Sequence, residues 1–161
     1  MANGPTGQDN LSHQDLVEIL RGLRTTWPNG KPIRIALRPE SDSDSMLIKA
    51  ISPEISAAIA EARKRPGMAV ATHDLENAEM LNRTPGALGT ISLSQFKAQK
   101  LELQRLAIAG DTRWNSNARS RPFVVIAKKN AGQNARGFSN FLLLTKAERI
   151  LHNLNCPLSP E

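Results

Sequence analysis

The first part of the chain changes from a helical to a strand-like spacing of apolar residues. In LSHQDLVEILRGL the apolar side chains recur on one helical face, with Ser12 at the N-cap position and Asp15 in the capping-box position. That face contains Leu16, Ile19, Leu20 and Leu23. In IRIAL the apolar residues Ile33, Ile35 and Leu37 alternate with other residues, as in a β-strand. The pattern predicts a helix, a turn and then a strand.

Further helices and strands alternate along the rest of the chain. Helical spacing covers MLIKAI, PEISAAIAEARKR, HDLENAEMLNR and LSQFKAQK, and in HDLENAEMLNR it places Leu75, Ala78 and Leu81 inward. Strand composition covers MAVAT, the residues after the PGALG turn, LQRLAIAG and RPFVVIAKK, whereas DTRWNSNARS has loop composition. The segment ARGFSNFLLLTKAERILHNL predicts one long amphipathic helix, whose apolar residues are Phe138, Phe141, Leu142, Ile150, Leu151 and Leu154. Alternating strands and helices predict an α/β fold.

The length of 161 residues and the even spread of apolar residues favour a single compact domain. We expect this domain to cover residues 11–155, with a flexible lead over residues 1–10 and a flexible tail over residues 156–161. The first ten residues lack the basic and apolar regions of a signal peptide, and no apolar stretch approaches a membrane span. A chain that truly starts at Met1 would therefore stay in the cytoplasm.

The charge of the chain favours anionic partners, since the formal net charge is +6. Aromatic residues make up only 4%, tyrosine is absent, and no zinc-finger or RNA-recognition motif occurs, so nucleic acid is a weak candidate. The stretch over residues 111–136 is either a docking patch for an anionic surface or a solvated basic face. Its charged residues are Asp111, Arg113, Arg119, Arg121, Lys128, Lys129 and Arg136.

The residue types needed for catalysis or metal binding are sparse. Cys156 is the only cysteine, so neither an intramolecular disulfide nor a cysteine-based metal cluster can form. The three histidines lie far apart and do not form a metal-ligand pattern. No Gly-x-Ser-x-Gly elbow and no P-loop is present. The sequence therefore predicts neither an enzyme nor a cofactor or metal site.

The loop RPESDSDSM connects the strand at IRIAL to the next helix and has the composition of an anion site. Unpaired N–H groups at a helix start, serine hydroxyls and the guanidinium of Arg38 can all donate to an oxyanion. The two aspartates would repel an anion unless they accept a proton carried by the ligand. Alternatively, one aspartate caps the helix and the other favours its positive end, which needs no ligand. The candidate contacts are Arg38, Ser41, Asp42, Ser43, Asp44 and Ser45.

The order of elements resembles the phosphate-type periplasmic substrate-binding proteins of ABC transporters, which have the type 2 periplasmic-binding-protein fold. Three stretches carry this resemblance: LSHQDLVEILRGLRTTWPNGKPIRIALRPE, PGALGTISLSQFKAQKLELQRLAIAG, and RPFVVIAKKN with ARGFSNFLLLTKAERIL after it. The resemblance implies an α/β lobe with a mixed sheet in a three-layer arrangement. It covers mainly the second lobe, because members of the family usually run well over 200 residues and have a further lobe before it.

The resemblance also implies a function and a site. The family's ligand loop usually reads Ser-Gly-Thr with a nearby arginine; here Arg38 matches the arginine, and Asp42, Ser43 and Asp44 stand in the place of Ser-Gly-Thr. Two carboxylates in place of two hydroxyls leave open a different ligand, a protonated anion or none. The implied partners are a phosphate-like oxyanion and an ABC permease, and the implied location is periplasmic or extracellular. The alternative is a lone lobe that acts as a structural or self-association module.

Overall fold

The structure is a computed structural model that describes residues 1–110, 128, 130, 132–154 and 156. These residues divide into two compact units. The first contains residues 1–92 and 100–110, and the second contains residues 93–99 and the described residues from 128 onward. The single domain expected over residues 11–155 stays a prediction.

The first unit is built on a mixed five-stranded sheet in the order β4-β3-β5-β1-β6, and it also contains a two-stranded sheet of β2 and β7. The strands are β1 Ala2–Asn3, β2 Asn10–Leu11, β3 Arg34–Leu37, β4 Ala69–Val70, β5 Ala87–Leu88, β6 Leu103–Gln104 and β7 Ala107–Ile108. β3 runs parallel to β4 and β5, whereas β1 is antiparallel to β5 and β6. The prediction of an α/β fold with a mixed sheet is therefore confirmed.

Seven helices lie in the part of the chain that the structure describes, four of them in the first unit. They are α1 His13–Arg21, α2 Ser43–Lys49, α3 Pro53–Arg63, α4 Asp74–Arg83, α5 Leu93–Ala98, α6 Gln133–Leu142 and α7 Thr145–Asn153. α1 has the predicted capping box, in which the hydroxyl of Ser12 accepts from the N–H of Asp15 at 3.0 Å and the Asp15 carboxylate accepts from the N–H of Ser12 at 2.9 Å. α1 ends at Gly22, whose φ of +77° is left-handed.

The apolar core of the first unit lies between the sheet and the packed pair α1 and α3. Its buried residues are Ala2, Leu11, Leu16, Ile19, Leu20, Trp27, Ile51, Ile55, Ala58, Ile59, Leu88, Leu106 and Ile108. Two apolar residues from the predicted helices are exposed, Leu23 from the predicted face of α1 and Leu75, which was predicted to point inward. Leu23 is 75% exposed because α1 has already ended, and Leu75 is 56% exposed in the first turn of α4.

The predicted flexible lead over residues 1–10 contains strand structure. β1 lies between β5 and β6, and Ala2 is fully buried and paired with Leu88 and Gln104. β2 begins at Asn10 and pairs with β7. The sequence predicts no strand here, because a two-residue strand shows no periodicity that a sequence pattern can reveal.

Two other predicted elements have different boundaries. The strand expected after the PGALG turn is β5, which lies within the PGALG letters themselves. The long terminal helix is instead the pair α6 and α7, because Leu144 has an extended backbone with ψ of 146° and starts a new helix. The apolar spacing continues through Leu143 and Leu144, and this continuity conceals the break from periodicity.

Some predictions concern residues outside the described ranges. RPFVVIAKK and DTRWNSNARS lie there except for Lys128. Of the basic stretch over residues 111–136, only 128, 130 and 132–136 are described, and of the predicted tail only Cys156. The docking role of the basic stretch stays a prediction.

Candidate functional site

The candidate site lies at one edge of the five-stranded sheet. Because β3 is parallel to both of its neighbours, the carboxyl ends of β3, β4 and β5 share this edge. Arg38 follows β3, Ala71 follows β4, and Thr90 lies two residues after β5. α2 and α4 begin at the same edge, shortly after β3 and β4. In open α/β sheets, ligands usually bind in the crevice beyond the carboxyl ends of the strands.

Arg38 is the central residue of this edge, and its side chain is only 3% exposed. Its Nη1 donates to the backbone carbonyl of Ala71 at 3.1 Å. Its Nη2 donates to Asp42 Oδ2 at 2.7 Å and to Asp74 Oδ1 at 2.6 Å. The buried Nε has no hydrogen-bond partner among the described residues. The guanidinium therefore joins the ends of two strands to the starts of two helices.

Asp42 has two contacts, one with each carboxylate oxygen. Oδ1 accepts from the N–H of Asp44 at 2.9 Å and makes Asp42 the N-cap of α2, while Oδ2 binds Arg38. The alternative that an aspartate of this loop caps the helix is therefore confirmed for Asp42. Its role in accepting a ligand proton stays a prediction.

Ser45 and Arg63 hold the backbone beneath this site. The Ser45 hydroxyl is buried and donates to the carbonyl of Arg38 at 3.1 Å. Arg63, from the end of α3, donates through Nη2 to the same carbonyl and to Ser45 Oγ, the latter at 3.2 Å. Arg63 Nε lies 3.7 Å from Glu40 Oε1, which is an ion pair beyond hydrogen-bond distance. The hydroxyl proton of Ser45 is thus directed at the protein's own backbone.

The remaining predicted contact residues of the loop are more exposed than Arg38 and Ser45. Ser41 is exposed, and Ser43 and Asp44 are half-buried. Asp44 lies in the first turn of α2, where its charge suits the positive end of the helix. The structure brings together Arg38, Asp42 and Ser45, and ligand contacts of all six residues stay predictions.

The first turn of α4 presents Asp74 to Arg38 and is itself well capped. His73 is the N-cap, with Nδ1 accepting from the N–H of Glu76 at 3.2 Å. The Glu76 carboxylate accepts from the hydroxyl of Thr72 at 2.7 Å and from its N–H at 2.6 Å, and these bonds lower the pKa of Glu76. These bonds order the turn that carries Asp74.

Asn77 is a buried polar residue one helical turn beyond Asp74. Its side chain donates through Nδ2 to the carbonyl of Thr90 at 2.8 Å, and the residue is 1% exposed. Its Oδ1 has no hydrogen-bond partner among the described residues. Asn77 thus links α4 to the chain after β5, and its Oδ1 is a buried acceptor without a hydrogen bond from the described residues.

Sequence reasoning misses Asp74, Arg63 and Asn77 as members of this network. Asp74 could be identified from the sequence, because it is the first residue of a helix that follows a short strand. The loop that contains Asp42 has the same arrangement, since it leads from β3 into α2. Arg63 is visible only as one of the basic residues that end a helix. Nothing in the local sequence indicates that its guanidinium reaches back to Arg38.

The charges of the site are largely matched within the protein. The two guanidinium groups of Arg38 and Arg63 lie against the carboxylates of Glu40, Asp42 and Asp74. An anionic ligand would meet Arg38 only together with these carboxylates. The local balance of charge therefore differs from the open cationic site that Arg38 alone would predict.

A small interior cavity lies next to the network but has a different character. Its volume is about 70 Å³, and Arg38, Ser45 and Thr90 are the polar residues of a mainly apolar wall. This is about half the volume of a cavity that holds benzene. The cavity indicates looser packing beneath this edge of the sheet.

The structure also bears on metal binding and membrane insertion. Over the described ranges, no group of three or more histidine, cysteine, aspartate or glutamate side chains is placed to hold a metal ion. Within the same ranges, none of the helices combines the length and apolar character needed to cross a membrane.

Comparisons with known proteins place the chain in a family. A family model described as a PBP superfamily domain matches residues 1–144. Among solved structures, the crystal structure of PstS from Borrelia burgdorferi is similar, with a TM-score of 0.54 and 19% sequence identity. The match covers 95% of this chain and 65% of the PstS chain. No curated protein matches the sequence.

Proposed function

The chain belongs to the PBP superfamily, a family of binding proteins, and from this premise we propose that it binds a small phosphate-like oxyanion as the solute-binding component of an ABC transporter. The observation that carries the proposal is Arg38, a buried guanidinium at the carboxyl edge of three parallel strands. A planar guanidinium suits the oxygens of a tetrahedral anion. The position agrees with the general location of ligands in open α/β sheets.

Unpartnered buried polar atoms give the proposal further support. Arg38 Nε and Arg63 Nε are donors, and Asn77 Oδ1 is an acceptor; all three are buried without a hydrogen-bond partner among the described residues. Buried polar atoms are rarely left unpaired in the absence of a ligand or a water. The unpaired donors of Arg38 and Arg63 support a ligand that carries acceptor oxygens.

The wider role follows from the family and is part of the proposal. The chain spans 65% of the length of the PstS structure that it resembles. In a binding-protein system the loaded protein delivers its solute to a permease, so an ABC permease is the proposed partner, in the periplasm or outside the cell. The chain needs no catalytic group for this role, and we propose that it is not an enzyme.

The test is a thermal melt with and without phosphate or sulfate at fixed ionic strength. A ligand that binds only the folded state at 100 times its Kd adds about 2.7 kcal/mol of stability. For a chain of this size that corresponds to a rise in the melting temperature of about 5–10 °C. No rise with either anion would refute oxyanion binding by this chain.

A matched pair of arginine variants locates the binding. Arg38→Lys keeps the charge but removes the planar donor group, so the anion-dependent rise should disappear. Arg21→Lys is the control, because Arg21 pairs with Glu61 on the surface and its side chain is 39% exposed. An equal rise in both variants would place the anion elsewhere on the protein.

Self-association is a second candidate function, favoured by the apolar surface of the second unit. Phe138 is 59% exposed, Leu143 81%, Leu144 56% and Ile150 45%. Exposed apolar residues on adjacent helices are typical of interaction surfaces. Sedimentation velocity over a range of concentrations tests this candidate: a concentration-dependent dimer that is lost in Leu143→Ser/Ile150→Ser supports it, and a monomer at every concentration refutes it.

A further inference from the structure

The ion pair between Arg38 and Asp74 has an unusual distribution of exposure. The Arg38 side chain is 3% exposed, whereas that of Asp74 is 75% exposed, although Nη2 and Oδ1 lie only 2.6 Å apart. The carboxylate of Asp74 therefore covers the guanidinium from the solvent side. We propose that Asp74 is an internal anion that occupies Arg38 and competes with solute anions for it.

The two carboxylates on Arg38 differ in how firmly they are held. Asp42 is 19% exposed at its side chain, and its second oxygen caps α2 through the N–H of Asp44. Asp74 is the more exposed partner and lies at the first residue of α4. Turning its side chain into solvent leaves the cap of α4 intact, because His73 forms that cap. Asp74 is therefore the more exposed of the two carboxylates on Arg38.

The geometry of the guanidinium limits where an anion can bind. Nη2 carries two hydrogens, and the two carboxylates lie at hydrogen-bond distance from it. One of the two hydrogens of Nη1 donates to the carbonyl of Ala71. An oxygen of a solute anion can reach Nη2 only by displacing one of the two carboxylates, and Asp74 is the more exposed of them. The affinity for the anion is lowered by the contact that it must displace.

If Asp74 competes with solute anions for Arg38, replacing Asp74 should change the affinity for the anion. Replacing one partner of an ordinary surface ion pair should not. An exposed pair stabilises a fold by at most about 1 kcal/mol, and its removal would not change ligand affinity. An internal competitor lowers affinity, so its removal raises affinity. Asp74→Asn removes the negative charge with little change in shape, and it therefore separates the two cases.

This inference rests on the proposed oxyanion function, and the experiment distinguishes the two. Isothermal titration with sulfate and with phosphate is carried out on the wild type, Asp74→Asn and Glu79→Gln. Glu79 is an exposed carboxylate of the same helix, so Glu79→Gln makes the same change in net charge at a different place. Sulfate carries no proton at neutral pH, so its binding cannot be aided by donation to a carboxylate. Circular dichroism confirms folding, and Asp74→Ser replaces Asp74→Asn if the latter does not fold.

We expect Asp74→Asn to bind sulfate about tenfold more tightly than the wild type, and Glu79→Gln to bind it within about twofold of the wild type. Equal affinities of the wild type and Asp74→Asn would overturn the competition while the oxyanion function stands. An equal gain in Glu79→Gln would mean that net charge, and not the contact with Arg38, sets the affinity. Binding of neither anion by any folded variant would overturn the oxyanion function, and the competition with it.

Discussion

Arg63 donates a hydrogen bond to the backbone carbonyl of Arg38, so a half-buried arginine supports the backbone of a buried one. The contact joins the end of α3 to the end of β3, 25 residues apart in the sequence. Since Ser45 also donates to this carbonyl, the backbone at Arg38 is held from two sides. The position of the Arg38 guanidinium therefore depends on residues that need not touch a ligand.

Arg63→Met should destabilise the protein by about 1–3 kcal/mol, because it removes the hydrogen bonds to the Arg38 carbonyl and to Ser45. Urea unfolding measures the change. Arg21→Met is the control, since the surface pair of Arg21 and Glu61 is expected to contribute at most about 1 kcal/mol. Equal losses of unfolding free energy in the two variants would mean that the contacts of Arg63 stabilise the protein no more than those of a surface arginine.

Gly86→Ala should be among the most damaging substitutions in the first unit. Gly86 has φ of +75°, and a Cβ there would collide with the carbonyl oxygen of Pro32; its own carbonyl accepts from the buried Trp27 side chain at 3.1 Å. The expected loss is about 4 kcal/mol or more, measured by thermal or urea unfolding.

Gly67→Ala is the control for the backbone conformation at Gly86. Gly67 has a similar φ of +73° with open space around it, so an alanine there should cost only the left-handed backbone term of about 1–2 kcal/mol. The difference between the two variants isolates the collision with Pro32. Equal losses of stability in the two variants would contradict a close contact between Gly86 and the Pro32 carbonyl.

The local elements of the fold could be predicted from the sequence because their signals are local. The Ser12 and Asp15 capping box, the face of α1 and the alternation in β3 each depend on residues within a few positions of one another. β1 could not be predicted, because Ala2 is placed by pairing with β5 and β6 from distant parts of the chain. Two-residue strands are determined by such non-local pairing.

The candidate site could be predicted only in part for the same reason. Arg38, Asp42 and Ser45 were found because they lie in one short loop after a strand. Asp74 lies 36 residues from Arg38, and neither its distance from Nη2 nor the burial of the guanidinium can be inferred from spacing. The capping alternative for Asp42 was predictable because a cap involves only the next two residues.

Asp42→Ala should cost more stability than Asp42→Asn. Alanine removes both the N-cap of α2 and the carboxylate on buried Arg38, with an expected loss of about 2–4 kcal/mol. Asparagine retains a cap acceptor, so its loss should be smaller by about 1 kcal/mol. Urea unfolding of both variants separates the contribution of the N-cap of α2 from that of the ion pair with Arg38.

Ser52→Ala is the control for the capping contribution of Asp42, because Ser52 caps α3 through the N–H of Ile55 without touching an arginine. Its loss should be about 1 kcal/mol. If Asp42→Ala costs no more than Ser52→Ala, the ion pair with Arg38 does not contribute to stability.

The capping box of α1 should make stability depend on pH in the acid range. Hydrogen bonds from the N–H and hydroxyl of Ser12 lower the pKa of Asp15, with burial opposing and the charge of Arg24 assisting. Since the pKa is lower in the folded state, the stabilisation is fully present above the unfolded value of about 3.9 and is lost as the pH falls through the folded value. Asp15→Asn should therefore cost about 1 kcal/mol at neutral pH and less at about pH 3.

A double-mutant cycle assigns this effect to the reciprocal contact of Ser12 and Asp15. With Ser12→Ala as the first variant, the further change Asp15→Asn should cost less than it does alone, because the hydroxyl that binds the carboxylate is gone. The free energies of unfolding of the four proteins are measured in urea at neutral pH and again at about pH 3. A coupling that is the same at both values of pH would show that the charge of Asp15 does not take part in the cap, since its protonation should weaken the contact.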